Sequence, residues 1–98
     1  MNRNDIISAI EQEIELFKDF DCVFLFGSVL NDGIFSHDVD LLLIYQRDVR
    51  AIMHEVNPIV QSLGNILGYP IDVTVLSIAE LKQTKFLDKL LDNYVVIK

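Results

Sequence analysis

Asp38-Val39-Asp40-Leu41-Leu42-Leu43-Ile44-Tyr45 is the stretch whose reading decides the fold of this chain. From Leu41 to Tyr45, and at Val39, every residue is apolar or aromatic, with no polar face. That pattern suits a central strand of a sheet covered on both sides. The two aspartates break it. Asp is disfavoured in strands, and Asp40 lies directly between Val39 and Leu41, where a charge is costly unless it meets a cation or hydrogen-bond donors. Side chains two apart on a strand share a face, about 6–7 Å apart along the chain. Asp38 and Asp40 therefore project together at the exposed start of a buried strand. Such a pair can bind one or two hard divalent cations, which prefer oxygen ligands; Mg²⁺ leaves coordination positions open for substrate phosphates.

Upstream, Cys22-Val23-Phe24-Leu25-Phe26 is too short and too uniformly apolar for a surface helix and reads as another buried strand. It ends at Gly27-Ser28. Glycine permits a sharp turn and close backbone approach to a phosphate, and a helix beginning there would add its positive end. Taken alone, a Gly-Ser pair is more simply an ordinary turn. Residues 27–37 are polar, with turn-favouring clusters at Asn31-Asp32-Gly33 and Ser36-His37. Before the first strand, Ile6, Ile7, Ile10, Ile14 and Phe17 recur at helical spacing behind a cap at Asn4 or Asp5.

Downstream, the apolar period predicts a helix from about Asp48 to Leu67, bent or split by Pro58 and stopped by Gly68. Residues 71–76 form a third strand, in which Asp72 repeats the anomaly of Asp40. If this strand pairs beside the second, Asp72 enters the same cluster. Three carboxylates together repel strongly, and Mg²⁺ is the natural remedy. Ser77 and Glu80 have the spacing of a capping box opening a short helix. A further helical segment spans about Lys85 to Leu91, and Tyr94 to Ile97 are extended. The expected class is α/β (α+β), with one mixed β-sheet packed with helices.

With 98 residues there is room for one compact domain, residues 1–98, and no second core. A hydrophobic fraction of 51% with only 4 Gly and 2 Pro argues for a packed globule. No apolar stretch reaches the ~18 residues that span a bilayer, and the polar opening is unlike a signal peptide. A cytoplasmic location, with no membrane association, is the default expectation. Cys22 is the single cysteine and reads as core; no Cys/His spacing suggests zinc. A net charge of −7 with no basic cluster argues against a sequence-independent grip on nucleic acid. Phe17, Phe20, Phe24, Phe26, Tyr45 and Phe86 read as core aromatics. His54 within the second helix needs no functional role.

Together, Phe26-Gly27-Ser28, Asp38-Val39-Asp40-Leu41-Leu42 and Ile71-Asp72-Val73 resemble the nucleotidyltransferase superfamily that includes DNA polymerase beta. Within it, the chain is similar to the minimal nucleotidyltransferase domain proteins of prokaryotes. The resemblance spans nearly the whole chain and implies the nucleotidyltransferase fold. It assigns the nucleotide phosphates to Gly27 and Ser28 and two Mg²⁺ ions to Asp38 and Asp40. It makes Asp72 the residue that completes the catalytic-metal site and helps to activate the acceptor hydroxyl. The implied reaction is in-line attack of that hydroxyl on the α-phosphate of an NTP, ATP being expected, with release of pyrophosphate. Two ions about 4 Å apart would steady the attacking and leaving oxygens.

The resemblance also implies a partner. Minimal nucleotidyltransferases are commonly paired with a HEPN-domain ribonuclease toxin and act as antitoxins by transferring AMP to a toxin tyrosine. This chain departs from the family pattern in its loop, residues 29–37, which carries no base, is about a residue shorter than usual, and has His37 where a Ser is common. Phosphate binding would then borrow Lys82, Lys85 or Lys89, which read more simply as solvated helix positions. Phe35 would either pack the loop down or stack on a base, and His37 is most simply an exposed turn residue. Two other functions stay open: a non-catalytic acidic module that neutralises a basic toxin or forms a homo-oligomer, and a free-standing transferase acting on a small hydroxylated acceptor.

Overall fold

The computed structural model describes residues 2–30, 38–46 and 48–98. Its core is a four-stranded mixed sheet in the order β3-β2-β1-β4. β1 (Cys22–Phe26) is antiparallel both to β2 (Val39–Tyr45) and to β4 (Tyr94–Val96), while β2 runs parallel to β3 (Ile71–Ser77). β2 is thus central, as its two apolar faces require. Leu41, Leu42, Leu43 and Ile44 are at most 1% exposed, and burying each such side chain contributes about 1.5–3 kcal/mol.

The two faces of the sheet are covered differently. On one, Val39, Leu41, Leu43, Val23 and Leu25 meet Ile6 and Ile10 of α1 (Arg3–Gln12) and Ile52, Ile59 and Leu63 of α2 (Val49–Leu67). On the other, Phe24, Leu42 and Ile44 meet Ile78 and Leu81 of α3 (Ile78–Thr84) and Phe86 and Leu87 of α4 (Phe86–Lys89). Cys22 packs against this second cluster and is half-buried. Parallel strands need a long crossover, and α2 supplies it between β2 and β3.

Several local expectations are corrected. The first cap is Asn2, not Asn4 or Asp5: its side chain accepts from the Asp5 N–H at 2.9 Å, and the Asp5 carboxylate accepts from the Asn2 N–H at 3.4 Å. Asp5 is thus the third residue of the capping box. α1 stops at Gln12, and a 3₁₀ turn, Ile14–Phe17, follows. The tighter turn brings Phe17 and Phe20 into the core. α2 is not split at Pro58. That residue faces solvent, so the helical bond it lacks lies on the outer side while Ile59 and Leu63 stay buried. Gly68 ends α2 in the left-handed region, φ 74°, with its N–H on Gly64 O at 2.9 Å. The capping box of Ser77 and Glu80 is present, with bonds of 2.9 and 3.1 Å.

At the far end of β4 the ladder widens into a bulge. Both Ile97 and Lys98 donate their N–H to Val23 O, at 2.8 and 3.1 Å. The Lys98 ammonium then donates to Phe17 O at 2.9 Å and to Phe20 O at 2.6 Å. Among the described residues no helix is long and apolar enough to cross a membrane.

Pro58→Ala restores the N–H that the His54 carbonyl would accept in an unbroken helix. Offset partly by the freer unfolded chain, it should stabilise by about 1 kcal/mol and raise Tm by about 4–8 °C in thermal unfolding.

Candidate active site

Strand register assembles the carboxylates. In the parallel pairing, Val39 stands opposite Ile71 and Asp40 opposite Asp72, and the Val39 N–H donates to Pro70 O at 3.0 Å where the two strands begin. In the antiparallel pairings Phe26 faces Asp40 on one side and Tyr94 on the other. Asp72, Asp40, Phe26 and Tyr94 therefore form one row across all four strands. Directly paired residues project to the same face, here the face of α3 and α4, opposite the α1–α2 layer.

Gly27 follows Phe26 at the end of β1 with φ 90°, a conformation that side chains resist. A Cβ at this position would overlap the Asp40 carboxylate and lie 3.0 Å from its Cγ. The bare backbone of Gly27 is thus seated against Asp40. A 3₁₀ turn, Ser28–Leu30, comes next, closed by the Leu30 N–H on Gly27 O at 3.1 Å and anchored by buried Val29 and Leu30. Arg3 reaches this turn from α1, donating through Nη1 to Leu30 O at 3.5 Å.

Asp40 is half-buried, whereas Asp38 and Asp72 are exposed. Burial raises the proton affinity of Asp40 above the ordinary carboxylate value; the charges of Asp72 and then Asp38, and a side-chain hydrogen bond with Asp72, raise it further. Asp72 and Asp38 are thus near enough for their charges to act on Asp40. As an oxygen-only, mutually repelling donor set the three carboxylates suit a hard divalent cation such as Mg²⁺. Asp38 and Asp40 would hold it, with Asp72 completing the set. Among the described residues, however, no group of three or more acidic, His or Cys side chains is gathered tightly enough to hold a metal as it stands.

Asp40, Asp72 and Gly27 are brought together, Asp38 lies two residues before Asp40 at the same end of the sheet, and Ser28 opens the turn beside them. Lys82, Lys85 and Lys89 are exposed, at and between α3 and α4. His37, Phe35 and the turn clusters of residues 31–37 lie outside the described residues. Sequence reasoning placed Phe26 and Phe86 in the core, yet both are only half-buried and meet edge-to-face, centroids 5.5 Å apart at 78°. Tyr94 meets Phe24 in the same way at 5.4 Å. Alternation along β1 could have placed Phe26 on the Asp40 face; nothing in the sequence pointed Arg3 at the turn.

A crystal structure of a provisionally named nucleotidyltransferase from Sulfolobus solfataricus matches this fold with a TM-score of 0.59 and 16% identity, over 96% of this chain and 80% of that one. The fold is nucleotidyltransferase-like. No protein-family model and no curated protein matches the sequence.

The Gly27–Asp40 contact and the crowding of Asp40 have measurable outcomes. Gly27→Ala should destabilise by about 1–3 kcal/mol, because it combines a positive φ with a clash against a short side chain, as a denaturant titration would read. The folded Asp40 binds its proton more tightly than the unfolded one does. Metal-free stability should therefore fall as pH rises from about 4 through the raised value, and stay lowered above it. With solvent screening most of the charge, Asp40→Asn should raise Tm slightly in EDTA at pH 7. It should also abolish any further rise on adding Mg²⁺ or Mn²⁺.

Proposed function

We propose that this protein is a Mg²⁺-dependent nucleotidyltransferase that moves AMP from ATP to a hydroxyl, that of a tyrosine on a partner HEPN-domain toxin, and so serves as an antitoxin. The observation that carries the transferase reading is the alignment of Asp72 with Asp40 across the parallel strands, with the Gly27 backbone seated against Asp40. An ordinary turn needs no glycine pressed onto a carboxylate. A turn that brings a phosphate beside acidic groups does, since only a bare backbone leaves space for both.

The backbone of Gly27 and Ser28 would hold the phosphates, and Arg3 holds the turn's far end. Bound Mg²⁺ would supply the positive charge that lets a triphosphate share a site with carboxylates and would polarise the α-phosphate. Asp38 and Asp40 would hold the Mg²⁺, and the phosphate would be oriented through it. Asp72 is exposed on an edge strand, reachable by a hydroxyl arriving on another molecule, and would take its proton. The new bond joins the acceptor oxygen to the α-phosphorus; the bond to pyrophosphate breaks. The toxin tyrosine as acceptor, and ATP as donor, rest on the family resemblance of the motif set.

A second reading has one observation in its favour: no three carboxylates converge as they stand among the described residues. On that reading the acidic domain neutralises a basic partner by binding alone.

Incubation with α-labelled ATP, Mg²⁺ and lysate of the protein's own host separates the two. The wild type should label one protein band, and Asp38→Asn/Asp40→Asn should lose the label by at least ~100-fold, the scale on which a lost charge-stabilising group slows an enzyme. A variant that still neutralises its partner as well as the wild type would decide for binding without catalysis.

A further inference from the structure

The turn between α4 and β4 is built in an unexpected way. Leu91 and Asp92 both have positive φ, 51° and 64°, and the Asn93 N–H donates to Leu90 O at 2.9 Å. Two positive-φ central residues under such a bond are the arrangement of a type I′ turn, which favours Asn, Asp or Gly at both positions. Asp92 conforms; Leu91 does not. Its backbone sits where a side chain with a Cβ is disfavoured. Its side chain is also 84% exposed, more than any other large hydrophobic residue among those described. A residue that opposes both its backbone and its solvent environment points to a role outside the fold.

Its place in the sheet suggests which role. Leu91 precedes Tyr94 by three residues, and Tyr94 stands in the row that runs through Phe26 to Asp40 and Asp72. Two strand spacings and three residues of chain put the Leu91 Cα within about 20 Å of that of Asp40. The same end of the sheet carries Asp38, Asp40, Asp72 and Asp92, in a chain of net charge −7. Lys89, in α4, is the nearest base along the segment.

We propose that Leu91 is the docking knob for the protein that carries the acceptor hydroxyl. That partner presents an apolar pocket to Leu91, rimmed by basic residues that face Asp92 and the carboxylates. The inference rests on the transferase reading for its description of the partner as an acceptor, but the docking itself does not require catalysis. A protein acceptor can take a foothold beyond the reacting groups; a small phenol cannot reach one.

Two readouts test it. A benzoylphenylalanine at position 91, irradiated in host cells, should crosslink to one protein of net positive charge, identified by mass spectrometry. The same probe at Val49, exposed on α2, should not. Asp92→Asn should weaken that adduct at least fivefold. In parallel, Leu91→Asn should leave Tm unchanged or raised and transfer to tyramine unaltered, while labelling of the crosslinked protein by α-labelled ATP falls at least tenfold. No adduct at position 91, an adduct only with a second copy of this chain, or an acidic partner would overturn the proposal. So would a lower Tm for Leu91→Asn, or a crosslinked protein labelled by that variant as fully as by the wild type. An adduct at position 91 with no labelling of any acceptor by the wild type would leave the docking standing and sink the transferase reading instead.

Discussion

The parallel pairing of β2 with β3 is the constraint on which the rest depends. It is a non-local contact, made across the 19 residues of α2, and such pairings are won only after the entropy of closing the connection has been met. The amphipathic crossover meets it by burying Ile52, Ile59, Leu63 and Leu67 on the sheet, and the left-handed Gly68 turns the chain back toward Pro70 and the first residue of β3. A slip of one residue would move Asp72 to the α2 side and Ile71 or Val73 out of the core. The register that satisfies the apolar face is therefore also the one that levels Asp72 with Asp40. Packing and site geometry are fixed by the same choice.

The sheet divides its labour along β2. Leu41 to Tyr45 supply the interior, while Asp38 and Asp40, at the strand's entrance, sit where the helices of the second face leave room. Asp40 is held against its own preference: burial and two like charges favour its protonated form. The fold tolerates this at the margin of the core, where water still reaches Asp38 and Asp72. The same carboxylate in the row of Leu42 would be fully enclosed, and its burial would not be offset by any partner.

Much of this was legible beforehand. The bounds of β1 and β2 follow from unbroken apolar runs, and Asp40 and Asp72 stood out because a charge between branched aliphatics has few bland explanations. That they meet followed only conditionally, since periodicity along a strand does not say which strand lies beside it. Local chemistry was less readable. Asn2 and Asn4 are equivalent as caps until the capping partner Asp5 is placed in space, and Pro58 breaks a helix in isolation but not one pinned on both sides by buried residues. The ties made by Arg3 and Lys98 were invisible, because a long basic side chain leaves no periodic trace of the carbonyl it finds. The positive φ of Leu91 was equally hidden, as leucine is the wrong residue from which to infer it.

The ammonium of Lys98 has a consequence for the opposite edge of the sheet. β4 contributes only three residues to the ladder, too few to define their own alignment, and Tyr94, Val95 and Val96 would pair nearly as well if shifted. The lysine acts as a latch: once its head is lodged among the carbonyls before β1, the bulge at Ile97 and Lys98 is fixed. Counting back from it places Tyr94 on one side of the sheet and Val95 on the other. The phase of this edge is thus written not in the strand itself but in a charged anchor two residues beyond its end.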